Sequence, residues 1–98
     1  MNINITIKQL EIFAALVKTP HVGKVSKEIN LSQSAISTAL KNLEDILETK
    51  LFDRFNKKLI VNDNGRLFFK HIDPQLKHLN WCENIFRDAH LRGTLSIG

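Results

Sequence analysis

Ser32, Gln33, Ser34, Ser37 and Thr38, followed by Lys41, gather hydrogen-bonding side chains and a cation into one short stretch. They form neither a nucleophile with its base nor a metal cage. A glutamine amide can meet adenine with two hydrogen bonds, serine and threonine hydroxyls meet several base edges or phosphates, and lysine meets phosphate. A second basic group, Lys50, Arg54, Lys57 and Lys58, follows closely. Any one of these residues alone reads equally well as ordinary solvated polarity. Together they suit a duplex nucleic acid, provided that one element holds the first group outward and another carries the second.

The positioning elements are legible in the apolar spacing. Across residues 22–41, Val25, Ile29, Leu31, Ile36 and Leu40 let two short helices share one buried wedge. Asn30 stands at the sharp turn between them, where the left-handed conformation is needed, and Ser26 is small where the helices approach. Ser32 is a good N-cap for the second helix, predicted over 33–48. That helix has a core stripe of Ile36, Leu40, Leu43 and Leu47, widened by Ala39 and Ile46, and an opposite face of Ser34, Ser37, Thr38, Lys41 and Asp45. An earlier helix is expected over 6–18, capped by Thr6, with Leu10, Phe13, Ala14 and Val17 inward and Thr19-Pro20 stopping it. His21, Val22 and Gly23 supply no obvious cap for the helix that follows.

Residues 51–62 change character. Leu51, Phe52, Phe55, Leu59, Ile60 and Val61 are strand-prone and surround a polar tip, Asn56-Lys57-Lys58, which reads as a short hairpin or wing. Its cations can reach phosphates or a minor groove; they also protect an exposed strand edge. Asn62-Asp63-Asn64-Gly65 is ambiguous between a second hairpin turn and a helix start capped by Asn62. The stripe Phe69, Ile72, Leu76, Leu79 and Phe86 favours one long helix over 63–92. Pro74 should either kink that helix or begin a fresh one capped by Asp73. Phe68, Phe69, Leu76, Leu79, Trp81 and Phe86 carry more apolar surface than a small head can cover, which predicts a second copy of the same helix.

Composition sets outer bounds. A chain of 98 residues, 43% hydrophobic, supports one small domain of limited core, and 14 Lys and Arg against 10 Asp and Glu leave a formal charge of +4. Glu44, Asp45 and Glu48 suggest an acidic edge opposed to the basic one. The single Cys82 excludes an internal disulfide framework and fits a reducing compartment. No run approaches the roughly 20 apolar residues that span a bilayer, so a cytoplasmic location is expected. His71, His78 and Cys82 share one side of a helix, but no carboxylate completes a metal or catalytic set, so neither metal, cofactor nor enzymatic activity is expected. The rival reading is a helical interaction module that never touches nucleic acid; Arg54, Lys57 and Lys58 beside the polar helix argue against it.

These landmarks resemble the N-terminal DNA-binding domain of LysR-type transcriptional regulators. The resemblance rests on Leu10 and Phe13, Leu31-Ser32-Gln33 with Ala35-Ile36-Ser37, Leu43-Glu44, Leu51-Phe52-Asp53-Arg54, and Gly65. It implies a mainly α fold: a winged helix-turn-helix of three helices plus a β-hairpin wing over 1–62, then a long linker and dimerisation helix over 63–92. It implies that 93–98 open an effector-binding domain missing here, through which alone a small molecule would act. It further implies sequence-specific binding of a homodimer to a dyad-symmetric duplex operator, with a tetramer as an option for a full-length parent. By matching position, Gln33, Ser34, Ser37 and Thr38 would face bases, Ser32 and Lys41 backbone or flanking bases, and Arg54, Lys57 and Lys58 would serve the wing. Phe69, Ile72, Leu76, Leu79 and Phe86 would pair the long helices. Ser34 stands where the family commonly has proline, Thr38 where arginine is frequent, and Val25-Ser26 where two alanines are usual, so a relative's operator preference does not transfer.

Overall fold

In the computed structural model, residues 4–56 and 58–92 are described, with side chains as far as 87. Thr6 opens α1 (Ile7–Lys18) with a reciprocal cap: the Gln9 N–H donates to Thr6 Oγ1 at 3.1 Å and the Thr6 N–H donates to Gln9 Oε1 at 2.9 Å. Its buried side differs from the expected one. Ile12, Phe13, Ala14 and Leu16 are buried, whereas Leu10 and Val17 are only half-buried. The reason is that α1 is covered on two sides, by the turn motif and by the long helix, so the enclosed arc is rotated from the stripe that periodicity picks out.

The next helix, α2 (Val22–Ile29), does have a capping side chain, contrary to expectation: His21 Nδ1 accepts the Lys24 N–H at 3.3 Å. Asn30 ends α2 in the left-handed conformation, φ 59° and ψ 43°. The Ser26 hydroxyl donates to the Leu31 carbonyl, bracing the turn from within. Ser32 then caps α3 (Gln33–Leu47), its Oγ accepting the Ala35 N–H at 3.1 Å. Ile36, Leu40 and Leu43 are buried against α1 and α2 and Leu47 is half-buried. Ile46 does not widen this core; it is 38% exposed because it stands off the inward stripe, which runs through Leu43 and Leu47.

Glu44 also departs from the expected acidic edge. It is buried, and its Oε2 accepts the Leu51 N–H at 2.7 Å and the Phe52 N–H at 3.3 Å. A carboxylate is tolerable there because two backbone donors stabilise it and Lys50 Nζ lies 4.0 Å from Oε1. The helix thereby sets the start of the wing, β1 (Phe52–Phe55) and β2 (Lys58–Val61), paired antiparallel with Phe52 opposite Val61 and Phe55 opposite Lys58. Asn56 takes φ 50° at the tip. Lys58 belongs to β2 rather than to the tip, since it pairs with Phe55; Lys57 lies outside the described residues.

Asn62 resolves its ambiguity as a helix start. Its Oδ1 accepts the Gly65 N–H at 2.9 Å and its Nδ2 donates to the Lys50 carbonyl at 2.9 Å, so one side chain both caps α4 (Asp63–Arg92) and ties it to the wing. Gly65 is enforced by proximity: a Cβ there would lie 2.2 Å from the Leu51 carbonyl oxygen and 2.7 Å from Val61 Cγ2. The helix continues through Pro74 without a fresh start, and Asp73 pairs with Lys77 at 3.1 Å instead of capping. Phe68, Phe69 and Ile72 hold the preceding turns on the head. Among the described residues no helix is long and apolar enough to cross a membrane.

Two stability effects follow from these joints. Gly65→Ala should lose about 1–3 kcal/mol, because the clash is with backbone. Glu44→Ala should lose about 2–4 kcal/mol by stranding two buried N–H donors, and Glu44→Gln less, since one acceptor oxygen remains. Urea unfolding midpoints at constant slope measure both.

Candidate nucleic-acid interface

The two-sidedness of α3 creates the site. With Ile36, Leu40 and Leu43 facing inward, Ser34, Thr38 and Lys41 form an exposed outer ridge at helical spacing. Ser32 and Gln33 are exposed at its N-terminal end, and Ser34 Oγ lies 3.2 Å from Ser32 Oγ. Gln33 leans towards α2: its Nε2 would stand 3.5 Å from a Cβ placed on Gly23. Ser37 is half-buried on the flank nearest the wing.

Two open grooves border this ridge. On the wing side a cleft of about 270 Å³ brings together Ser37, Thr38, Lys41, Lys50 and Arg54. Arg54 thus joins the helix residues, whereas Lys58 is exposed farther out, opposite Phe55. Lys50, which matching position alone does not place in the wing, stands beside Arg54 because Glu44 holds the start of β1 under α3. On the other side a cleft of about 450 Å³ separates α3 from the first turn of α1, with Lys8 and Gln9 facing Thr38 and Asn42. Nothing in the local sequence marks those α1 residues, because only the packing of α1 on α3 brings them to the ridge.

The long helix distributes its apolar residues unexpectedly. Phe69 and Ile72 pack on the chain's own head, Phe69 with its ring centroid 6.4 Å from that of Phe13, because α1 lies along the first half of α4. Leu76 is half-buried, while Leu79 and Phe86 remain exposed as expected. Leu67, Trp81 and Ile85 add to the uncovered surface. His78 Nε2 is 3.6 Å from Cys82 Sγ and its ring stacks on Trp81, but His71 lines a different cleft with Leu67 and Phe68. Among the described residues no three potential metal ligands cluster.

Residues 7–66 match the bacterial regulatory helix-turn-helix protein, lysR family. The chain belongs to that family. It is 41% identical over 85 residues to the uncharacterized HTH-type transcriptional regulator YeiE of Escherichia coli (strain K12), covering 87% of this chain and 29% of that protein. The LysR-family chain thus spans under a third of this curated relative. Among solved structures it is similar to full-length AphB, the Vibrio cholerae virulence activator, with a TM-score of 0.76 and 25% identity over 86% of this chain and 29% of that one. It also shares its fold with BenM_DBD in a complex with catB site 1 DNA, at a TM-score of 0.78 and 19% identity over 87% of this chain and 94% of that one. The fold is the winged helix-turn-helix of LysR DNA-binding domains, and residues 7–66 are the regulatory helix-turn-helix of that family.

The neighbouring hydroxyls at the start of α3 have separable roles in this LysR domain. Ser32→Ala should lower stability by about 1 kcal/mol through loss of the cap, and Ser34→Ala should stay within about 0.5 kcal/mol of the parent. Thermal unfolding followed by circular dichroism distinguishes them.

Proposed function

We propose that this chain binds duplex DNA sequence-specifically as a homodimer, laying α3 in the major groove and the wing against the adjacent backbone or minor groove. The observation that carries this reading is the exposed ridge of Ser34, Thr38 and Lys41 on a helix whose opposite side is buried, with Arg54 and Lys50 lining its flank. Short polar side chains on a rigid rod can read base edges, and cations beside it can neutralise phosphate. Ser32, Gln33, Ser34, Ser37 and Thr38 supply the helix contacts; Lys41, Arg54, Lys57 and Lys58 supply the cations. The BenM_DBD complex with DNA, built on the same fold, supports the assignment.

The head over 1–62 does the binding and the helix over 63–92 the pairing. Leu76, Leu79 and Phe86, with Leu67, Trp81 and Ile85, leave an apolar surface on α4 that suits a second copy. Antiparallel pairing of two such helices would present two copies of α3 to a dyad-symmetric operator, about 34 Å apart. In a longer parent, residues 93–98, which lie outside the described residues, would lead into an effector-binding domain, where a small molecule would act and a tetramer could assemble. The chain itself is a non-catalytic, cytoplasmic binding unit without a cofactor.

Gln33→Ala and Ser37→Ala should reduce preference for a selected operator over random duplex, whereas Arg54→Ala and Lys58→Ala should weaken both nearly equally. Competition binding on both duplexes checks this, and equal losses for all four variants would defeat the division of labour. With roughly eight phosphate contacts per dimer, log affinity should fall against log salt with a slope of about −7. A flat response would favour a protein-only helical module. Leu79→Asp with Phe86→Asp should yield a monomer in sedimentation; an intact dimer would refute the assigned pairing surface.

A further inference from the structure

A helix about 10–12 Å across lying in a major groove about 12 Å wide has a sugar–phosphate strand on each side of it. The wing accounts for only one of these flanks. On the other, the groove between α1 and α3 has Thr6, Lys8 and Gln9 on one wall and Ser34, Thr38 and Asn42 on the opposite wall. No acidic side chain lines it. Lys8 is exposed and has no acidic partner among the described ion pairs. Gln9 uses its Oε1 to accept the Thr6 N–H, which leaves its amide nitrogen free to donate outward. The exposed Asn42 amide adds donors from the facing wall.

The exposed acidic residues of α3 lie elsewhere. Asp45 and Glu48 border a separate cleft at the far end of α3 with Thr49 and Lys50. A polyanion approaching the ridge therefore meets exposed cations on both sides, Lys8 on one and Lys50 and Arg54 on the other, where the Glu44 carboxylate lining the cleft is buried and accepts the Leu51 and Phe52 N–H groups.

We propose that the α1–α3 groove seats the second sugar–phosphate strand of the bound duplex, with Lys8 as its cation and Gln9 and Asn42 as its hydrogen-bond donors. This rests on the DNA-binding reading and deepens it. The wing and the first turn of α1 then grip opposite strands, and the rotation of α3 in the groove is set from both sides. The contact is to phosphate, so it raises affinity for every duplex and leaves base preference unchanged.

The test uses the full chain with mixed-sequence duplex DNA, read by fluorescence anisotropy across a salt series. Lys8→Gln should bind several-fold more weakly, with a salt slope shallower by about 1 per engaged chain. Lys8→Arg should restore both. Lys70→Gln, an equal charge loss on α4 outside both grooves, should change affinity far less. Lys8 is solvent-exposed, so these variants should keep the parent's circular dichroism. Equal behaviour of Lys8→Gln and Lys70→Gln, while Arg54→Ala still weakens binding, overturns the proposal and leaves the DNA reading standing. A parent chain that binds no duplex at all sinks that reading itself. Inorganic phosphate alone should produce no saturable NMR shift at the Gln9 and Asn42 amides at sub-millimolar concentration; a saturable shift would mark a small-anion site instead and overturn the strand assignment.

Discussion

The Phe13 ring joins what would otherwise be separate parts. It is fully buried, and its centroid lies 5.7 Å from Phe52 in β1 and 5.3 Å and 6.4 Å from Phe68 and Phe69 in α4. A close-packed aromatic contact of this kind does not slide without opening a void. The wing and the long helix are therefore both referenced to α1, and α3 packs on α1 as well. Where the outer ridge points, where the wing stands beside it, and where α4 leaves the head all descend from this shared packing.

The polar joints refine that arrangement. Glu44 reaches from the core side of α3 to the backbone at the start of β1, and Asn62 reaches from the start of α4 back to the Lys50 carbonyl. Gly65 lets the first turn of α4 come within contact of Leu51. All three converge on residues 50–52, so the strand entering the wing is fixed by a carboxylate, an amide and a steric fit at once. A basic chain that buries one carboxylate gains geometry from it: Lys50 is drawn to the side of α3 where Arg54 also lies.

Much of this is legible in the sequence. The left-handed turn at Asn30, the caps at Thr6, Ser32 and Asn62, the hairpin over 51–62 and the long helix beyond it depend on interactions within a few residues of chain, and local side-chain chemistry reports them. The outward ridge of α3 was equally legible, because Ile36, Leu40 and Leu43 leave only one side for Ser34, Thr38 and Lys41. What misled was partnership. Glu44 looks like one more surface acid until the strand that donates to it is in place. Phe69 and Ile72 look free until α1 covers them, and Ile46 looks buried until the inward stripe is seen to run through Leu43 and Leu47. His21 is an uncommon cap, because an imidazole nitrogen rather than a hydroxyl or carboxylate oxygen accepts the Lys24 N–H.

By itself, then, the order of residues determined the elements, their ends and the polar character of the exposed helix, since periodicity and capping act over one or two turns. Tertiary packing alone decided which apolar residues of α4 stay uncovered, which flank of α3 receives Lys50 and Arg54, and that Lys8 and Gln9 face Thr38 and Asn42 across a groove. The physical reason is that these last relations join residues far apart in the chain. Their distances are set by how whole helices fit together, a property no short window of sequence contains.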